Sequence, residues 1–232
     1  LIFEIGQGQS LITKKILKDD LIKRASLLRN DSIHGEFPGT IRVNKLNNSL
    51  IVNGNEIFII SSENPRKTNY KKFGIKRATL IDNTGVWTDE EGLSQHLKNP
   101  SIEKVILTAP AKGKIKNIVY GINENRINQN DKILGAASCT TNAIVPALNI
   151  VDENFKILNG HVETIHAYTN DQNLIDNYHP SDRRGRSAAL NLVITNTGAA
   201  KAVSEVLPQL KGKITANAVS YTHLTLPTIP QV

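Results

Sequence analysis

Short apolar runs rich in Val, Ile and Leu alternate along this chain with helix-patterned and turn-rich segments. That alternation limits the fold more than any other feature. "RATLIDNTG" and "EKVILTAP" each read as a strand closed by a turn carrying Gly or Pro. Between them "TDEEGLSQHLKN" predicts a short helix, capped by Thr88 and carrying acids in its first turn. "SLIVNGNEIFIIS" predicts a hairpin folded at Asn53 and Gly54. "GHVETIHAYTN" is a further strand, and "SAALNLVITNTGAAKAVSEVLPQL" leads into another helix. Strands interleaved with helices give an α/β fold with at least part of a parallel sheet. There is no internal repeat.

Composition narrows the function classes. At 39% hydrophobic and 21% charged residues over 232 positions, the chain can bury an ordinary globular core. No apolar run reaches the roughly 18 residues of a membrane span, so no membrane partner is expected. The single cysteine excludes an internal disulfide and suits a reducing cytoplasm. The net charge of +7 raises the alternative of a basic nucleic-acid-binding module. Its basic residues are scattered, however, apart from "RKTNYKKFGIKR", and aromatics make up only 5%. Such a balance equally suits an enzyme of anionic, phosphorylated metabolites. Methionine is absent and the chain opens abruptly, which reads as a fragment. "GQGQSL" near the start is not a dinucleotide fingerprint, because its last position is Leu11 where Gly is required.

The candidate chemistry centres on Cys139. A lone cysteine is more often a small buried hydrophobe than a reagent. Here "DKILGAAS" reads as a strand and "TTNAIVPALNIVDENF" as a helix, so the thiol falls where a strand ends and a helix begins. Free N–H groups and the positive dipole end favour a thiolate at that address. His166 is the candidate base, sharing a strand face with Val162, Thr164 and Tyr168 by the period of two. Thr197 and Gly198 precede a helix, a natural anion cradle. Arg183, Arg184 and Arg186 supply positive charge or simply a solvated turn.

Four blocks, "ASCTTNAIVP", "HVETIHAYTNDQNLID", "RRGRSAALNLVITNTGAAKAV" and "LPQLKGKITANAV", closely resemble glyceraldehyde-3-phosphate dehydrogenase. "RNDSIHGEFPGTI", "DNTGVW" and "TAPAKG" follow the same family in order, so the resemblance runs from Asp20 to Val219. It implies a partial Rossmann-type NAD-binding domain over residues 1–137 and a partial α+β catalytic domain over 138–219. It implies that Cys139 attacks an aldehyde, that His166 acts as base, and that NAD takes the hydride, with NADP left open. A small phosphorylated aldehyde and inorganic phosphate are the implied partners, and the reaction belongs to glycolysis. Thr169 would meet the substrate phosphate; Ser138, Thr197 and Gly198 would meet inorganic phosphate, and Arg184 lies in the phosphate region. Thr84, Gly85 and Thr108 match the adenine and ribose side of the cofactor, and Asn170 a residue beside the nicotinamide. No metal is implied. The intact family is a homotetramer.

Three departures stand against that pattern. The family's glycine-loop β-α-β unit, "GFGRIGR"-like, is absent. Ser220 stands where the family has a phosphate-binding arginine. Residues 220–232 read as a non-family, irregular tail. The expectation is therefore a chain cut at both ends and inactive as it stands. Three other functions compete with the dehydrogenase. They are erythrose-4-phosphate dehydrogenase, a thiol hydrolase using Asn142 or Asn170, and the basic nucleic-acid module.

Overall fold

In the computed structural model the described residues are 2–5, 18–32, 34–61, 66, 68–169, 171–180, 182–191, 193–195 and 197–220. The "GQGQSL" turn, Asn170 and residues 221–232 of the expected tail lie outside them. Contacts divide the chain into two compact units, Leu1–Leu107 with Lys112–Lys114, and Thr108–Ala111 with Ile115–Val232.

The first unit opens with β1 (Ile2–Ile5), α1 (Lys18–Arg29) and the short strands β2 (Asn30–Asp31) and β3 (Gly35–Glu36). Strands β4 (Ile41–Asn44), β5 (Ser49–Val52) and β6 (Asn55–Ser61) follow, then β7 (Ala78–Asp82), α2 (Glu90–Leu97) and β8 (Ile102–Leu107). The expected hairpin is β5 and β6. Asn53 and Gly54 take φ of 49° and 81°, the paired left-handed conformation of a type I′ turn. Gly54 adopts it without steric cost, and Asn is among the residues that tolerate it best. A four-stranded sheet has the order β1-β6-β5-β4, with β1 parallel to β6 and the other pairs antiparallel. Helix α1 lays Leu21 and Ala25, one turn apart and fully buried, on Ile41, Leu50 and Ile59. A fully buried leucine of this kind contributes about 1.5–3 kcal/mol.

β7 and β8 are parallel, with one register shift between Ala78 and Thr79, and pair from there to Asp82 opposite Leu107. This is the parallel strand pair that the alternating pattern predicts. The crossover helix α2 is capped by Asp89, whose carboxylate accepts from the Gly92 N–H at 2.8 Å. That corrects the expected cap, Thr88. Asp89 adds a negative charge at the dipole's positive end, whereas the Thr88 carbonyl accepts from the Lys112 N–H at 2.7 Å.

The second unit contains β9 (Lys116–Asn117), β10 (Ile133–Gly135), α3 (Cys139–Phe155), β11 (Gly160–His166), β12 (Val193–Thr195), α4 (Ala199–Val206) and β13 (Ile214–Ser220). β9 and β10 are parallel. The strand carrying His166 lies in a mixed sheet of order β11-β13-β12, parallel between β11 and β13 and antiparallel between β13 and β12. Its core joins Val145 of α3 to Val203 and Val206 of α4, with Leu210 and Ile214 beside them. Ser220, expected to open the tail, is the last residue of β13 and pairs in register with His166.

Candidate active site

β10 ends at Gly135 and α3 begins at Cys139, so three residues carry the chain from strand to helix. Ala136 and Ser138 are fixed by local bonding. Ser138 is extended, at φ −92° and ψ 161°, and its hydroxyl caps the helix by accepting from the Thr141 N–H at 3.0 Å. The Asn142 side-chain amide donates back to the carbonyls of Ala136 and Ser138, at 2.7 and 2.9 Å. Ala137 is buried with φ of 57°. An alanine in that left-handed region stores of order 1–2 kcal/mol of strain. The strain turns the backbone so that the Ala137 methyl enters the core while the next side chains face the helix mouth. Cys139 is exposed there.

His166 ends β11 on the half-buried face shared with Val162 and Thr164; His161, Glu163 and Ile165 occupy the exposed face. The expected two-residue period therefore holds through the strand. Tyr168 lies beyond the strand end. The Cys139 sulfur and His166 Nε2 are 3.5 Å apart. On the other side of the ring, Nδ1 lies 2.7 Å from the Ala167 carbonyl oxygen. A carbonyl only accepts, so Nδ1 carries a proton and Nε2 presents its lone pair to the thiol. The Thr140 hydroxyl is 3.9 Å from the sulfur.

Burial pushes the Cys139 thiol up, but the His166 hydrogen bond, the Thr140 contacts and the imidazolium charge outweigh it and hold it below the ordinary thiol value. The Ala167 carbonyl, then the sulfur, raise His166 above the ordinary imidazole value against a smaller effect of burial. Both shifts favour a thiolate beside an imidazolium.

Thr169 and Arg184 are drawn into one cluster. Thr169 donates through N–H and hydroxyl to Gln172 Oε1, at 2.6 and 3.1 Å. Its hydroxyl accepts from the Asp171 N–H at 3.4 Å, and the Asp171 carboxylate pairs with the Arg184 guanidinium. Arg186 pairs instead with Asp176 at 2.5 Å. Thr197 and Gly198 sit at the start of α4, where the Thr197 hydroxyl accepts from the Ala199 N–H at 3.1 Å. Sequence reasoning missed Thr140, Asp171, Gln172 and the Ala167 carbonyl. Thr140 adjoins the cysteine and could have been found there; the carbonyl leaves no trace in residue type.

Thr84 and Gly85 follow the C-terminal end of β7, and Thr108 follows that of β8. Ligands of open α/β sheets bind outside the carboxyl ends of parallel strands. Gly85 has φ of 71° and open space where a Cβ would stand, so a flat ring system can approach its backbone closely.

Two family models match the chain. The glyceraldehyde 3-phosphate dehydrogenase NAD binding domain covers residues 12–90 and the C-terminal domain of the same enzyme covers residues 138–228. The chain belongs to the glyceraldehyde-3-phosphate dehydrogenase family. The C-terminal match continues beyond Val219, where the resemblance read from the motifs stops. A glyceraldehyde-3-phosphate dehydrogenase-like protein of Pseudomonas aeruginosa is 59% identical, over 94% of this chain and 49% of its own length. The glyceraldehyde-3-phosphate dehydrogenase of Borreliella burgdorferi is 42% identical over 84% of this chain and 58% of its own. The chloroplastic A form of Zea mays is 42% identical over 85% of this chain and 48% of its own. The chain spans about half the length of these curated relatives.

Proposed function

We propose that this chain carries the thiol chemistry of an NAD-dependent, phosphorylating glyceraldehyde-3-phosphate dehydrogenase. The observation that bears most weight is the 3.5 Å approach of His166 Nε2 to the Cys139 sulfur, with Nδ1 anchored on Ala167. A base whose far nitrogen is already bonded has one orientation to offer, and that orientation faces the nucleophile.

The Cys139 thiolate adds to the aldehyde carbon of glyceraldehyde 3-phosphate, and the carbonyl oxygen takes up the charge. The imidazolium of His166 stabilises that oxygen and donates to it, then as neutral imidazole removes the same hydroxyl proton as the carbonyl re-forms. A bound nicotinamide dinucleotide supplies the hydride acceptor. Inorganic phosphate then attacks the Cys139 thioester, an acyl phosphate leaves, and the thiolate is restored. Thr169 and Arg184 hold the substrate-side anion; Ser138, Thr197 and Gly198 hold the attacking phosphate. Thr84, Gly85 and Thr108 receive the adenosine half of NAD or NADP, and Asn170 the nicotinamide side. The Asp171 carboxylate already engages Arg184, so an incoming phosphate must share that guanidinium. The whole enzyme is a homotetramer of the cytoplasm in this reading. Among the described residues no helix is long and apolar enough to cross a membrane.

The reverse half-reaction tests this without a cofactor. Incubation with 1,3-bisphosphoglycerate should add a 3-phosphoglyceroyl group to Cys139, read as intact mass and located by peptide mapping. Phosphate should discharge it, and Cys139→Ser should show none. Parallel assays of NADH formation with glyceraldehyde 3-phosphate and with erythrose 4-phosphate fix the aldehyde. Failure of the wild-type chain to acylate while folded would sink the proposal.

A further inference from the structure

Behind the turn at Thr84 and Gly85 lies a buried pair that the chemistry above does not use. His96 on α2 and Asp82 at the end of β7 have side chains only 6% and 1% exposed. His96 Nε2 is 3.0 Å from Asp82 Oδ2, so Nε2 carries the proton and donates it. The second carboxylate oxygen gathers the turn. Oδ1 accepts from the Thr84 N–H at 2.8 Å and from the Thr84 hydroxyl at 2.7 Å. The Thr84 oxygen then accepts from the Val86 N–H at 3.2 Å. One line of hydrogen bonds therefore runs from α2, through the carboxylate, into the loop at the strand end.

This arrangement carries a cost. His96 Nδ1 is buried with no hydrogen-bond partner among the described residues, and a bare polar atom in that setting is destabilising. The Trp87 ring packs edge-on to the imidazole, centroids 5.1 Å apart at 89°. Trp87 is in turn pinned by α2, because a Cβ at Gly92 would come within 2.6 Å of its Cδ1. A site that needed only volume would be filled better by an apolar side chain, which strands no nitrogen. The gain that offsets the cost is the Nε2 donor. It engages Oδ2 from α2 while Oδ1 meets Thr84, and so helps to set the plane of the carboxylate beneath the turn.

We propose that His96 is a positioning residue for dinucleotide binding: through Asp82 it holds the Thr84 and Gly85 turn in the conformation that receives the adenosine half. The proposal rests on the dinucleotide reading above and deepens it. Its chemistry is specific, since what matters is a hydrogen-bond donor at the Nε2 position. Glutamine can place an amide nitrogen near that point. Asparagine cannot reach it.

The test compares the wild-type chain with His96→Gln and His96→Asn. Trp87, the single tryptophan, is the fluorescence probe for titration with NAD and with ADP-ribose, which lacks the nicotinamide. Amide hydrogen exchange at Thr84 and Val86 reads the turn without any ligand. His96→Asn should lose tenfold or more in affinity for both ligands and tenfold or more in protection of the two amides; His96→Gln should retain both. If folded His96→Asn keeps its protection at Thr84 and Val86, or His96→Gln loses as much as His96→Asn, the positioning role is overturned. Should His96→Asn fail to fold, Asp82→Asn decides: its oxygen can still serve Thr84 while its NH2 meets the Nε2–H and breaks the link. Retained protection in that variant overturns the proposal. A wild-type chain that binds neither ligand overturns the dinucleotide reading, and the exchange data then judge the turn separately.

Discussion

At Cys139 two opposing influences meet on one sulfur. Burial favours the neutral thiol, and the donors from His166 and Thr140 favour the thiolate and prevail. Alkylation by iodoacetamide should therefore persist to lower pH than for an ordinary thiol, and fall as pH drops through the lowered thiol pKa. His166→Asn removes a hydrogen bond and a positive charge while leaving the burial, so the thiol pKa rises. The expected result is alkylation on the order of tenfold slower at neutral pH, with its midpoint displaced to higher pH. An unchanged profile would detach the base from the nucleophile. Ala137 supplies a second test. Its φ of 57° is tolerable for alanine, but a β-branched side chain there clashes with its own backbone. Ala137→Val should cost on the order of 2 kcal/mol or more in urea unfolding, whereas Ala137→Gly should be nearly neutral as relieved strain offsets the lost methyl. Cys139 and His166 were legible in the sequence because reactive side chains stood out against small or apolar neighbours. The Asp82 and His96 pair was not, since its meaning depends on a helix and a strand end meeting in space.

Element by element, the helix starts carry the most local information. Ser138 caps α3 with a hydroxyl that satisfies the Thr141 N–H, so Ser138→Ala should cost about 1 kcal/mol. Because that cap also sets the first turn, the variant should slow Cys139 alkylation; equal stability and equal reactivity would show that the hydroxyl is idle. Turn chemistry made the β5 and β6 hairpin readable from Asn53 and Gly54 alone. At α2 the same reasoning placed the cap one residue early, because Thr88 and Asp89 are both competent and only tertiary bonding chooses between them. Helix α1 passed unread. Its buried stripe of Leu21 and Ala25 is narrow, and the charged residues around it blur the helical period.

Across the whole molecule, each unit has its own apolar core, and several carboxylates make its stability depend on pH. Burial pushes Asp82 up, yet the His96 and Thr84 donors hold it below the usual carboxylate range. Asp152 is lowered first by the Ile157 N–H, Asp176 first by the Ser187 N–H and Glu56 first by the Ser49 hydroxyl. A depressed folded-state pKa gives stability that is fully present above the unfolded value of about 4 and is lost as pH falls through the folded value. Urea midpoints should thus be flat near neutrality and decline below about pH 4. Asp82→Asn should lower the neutral plateau and flatten the acid limb; a parallel acid limb would remove Asp82 from the account.

The parallel pairing of β11 with β13 has a kinetic consequence. His161 and Thr215, bonded across those strands, are 54 residues apart in sequence, whereas α3 closes only contacts between near neighbours. Chain closure of that length is slow compared with helix formation. On dilution from denaturant the helix bearing Cys139 should thus form early, and the histidine should reach the sulfur only when the late strand docks. Millisecond pulses of iodoacetamide during refolding should catch a cysteine of ordinary thiol reactivity that becomes a fast one in the last phase. The reagent that reports the nucleophile would then also time the completion of the fold.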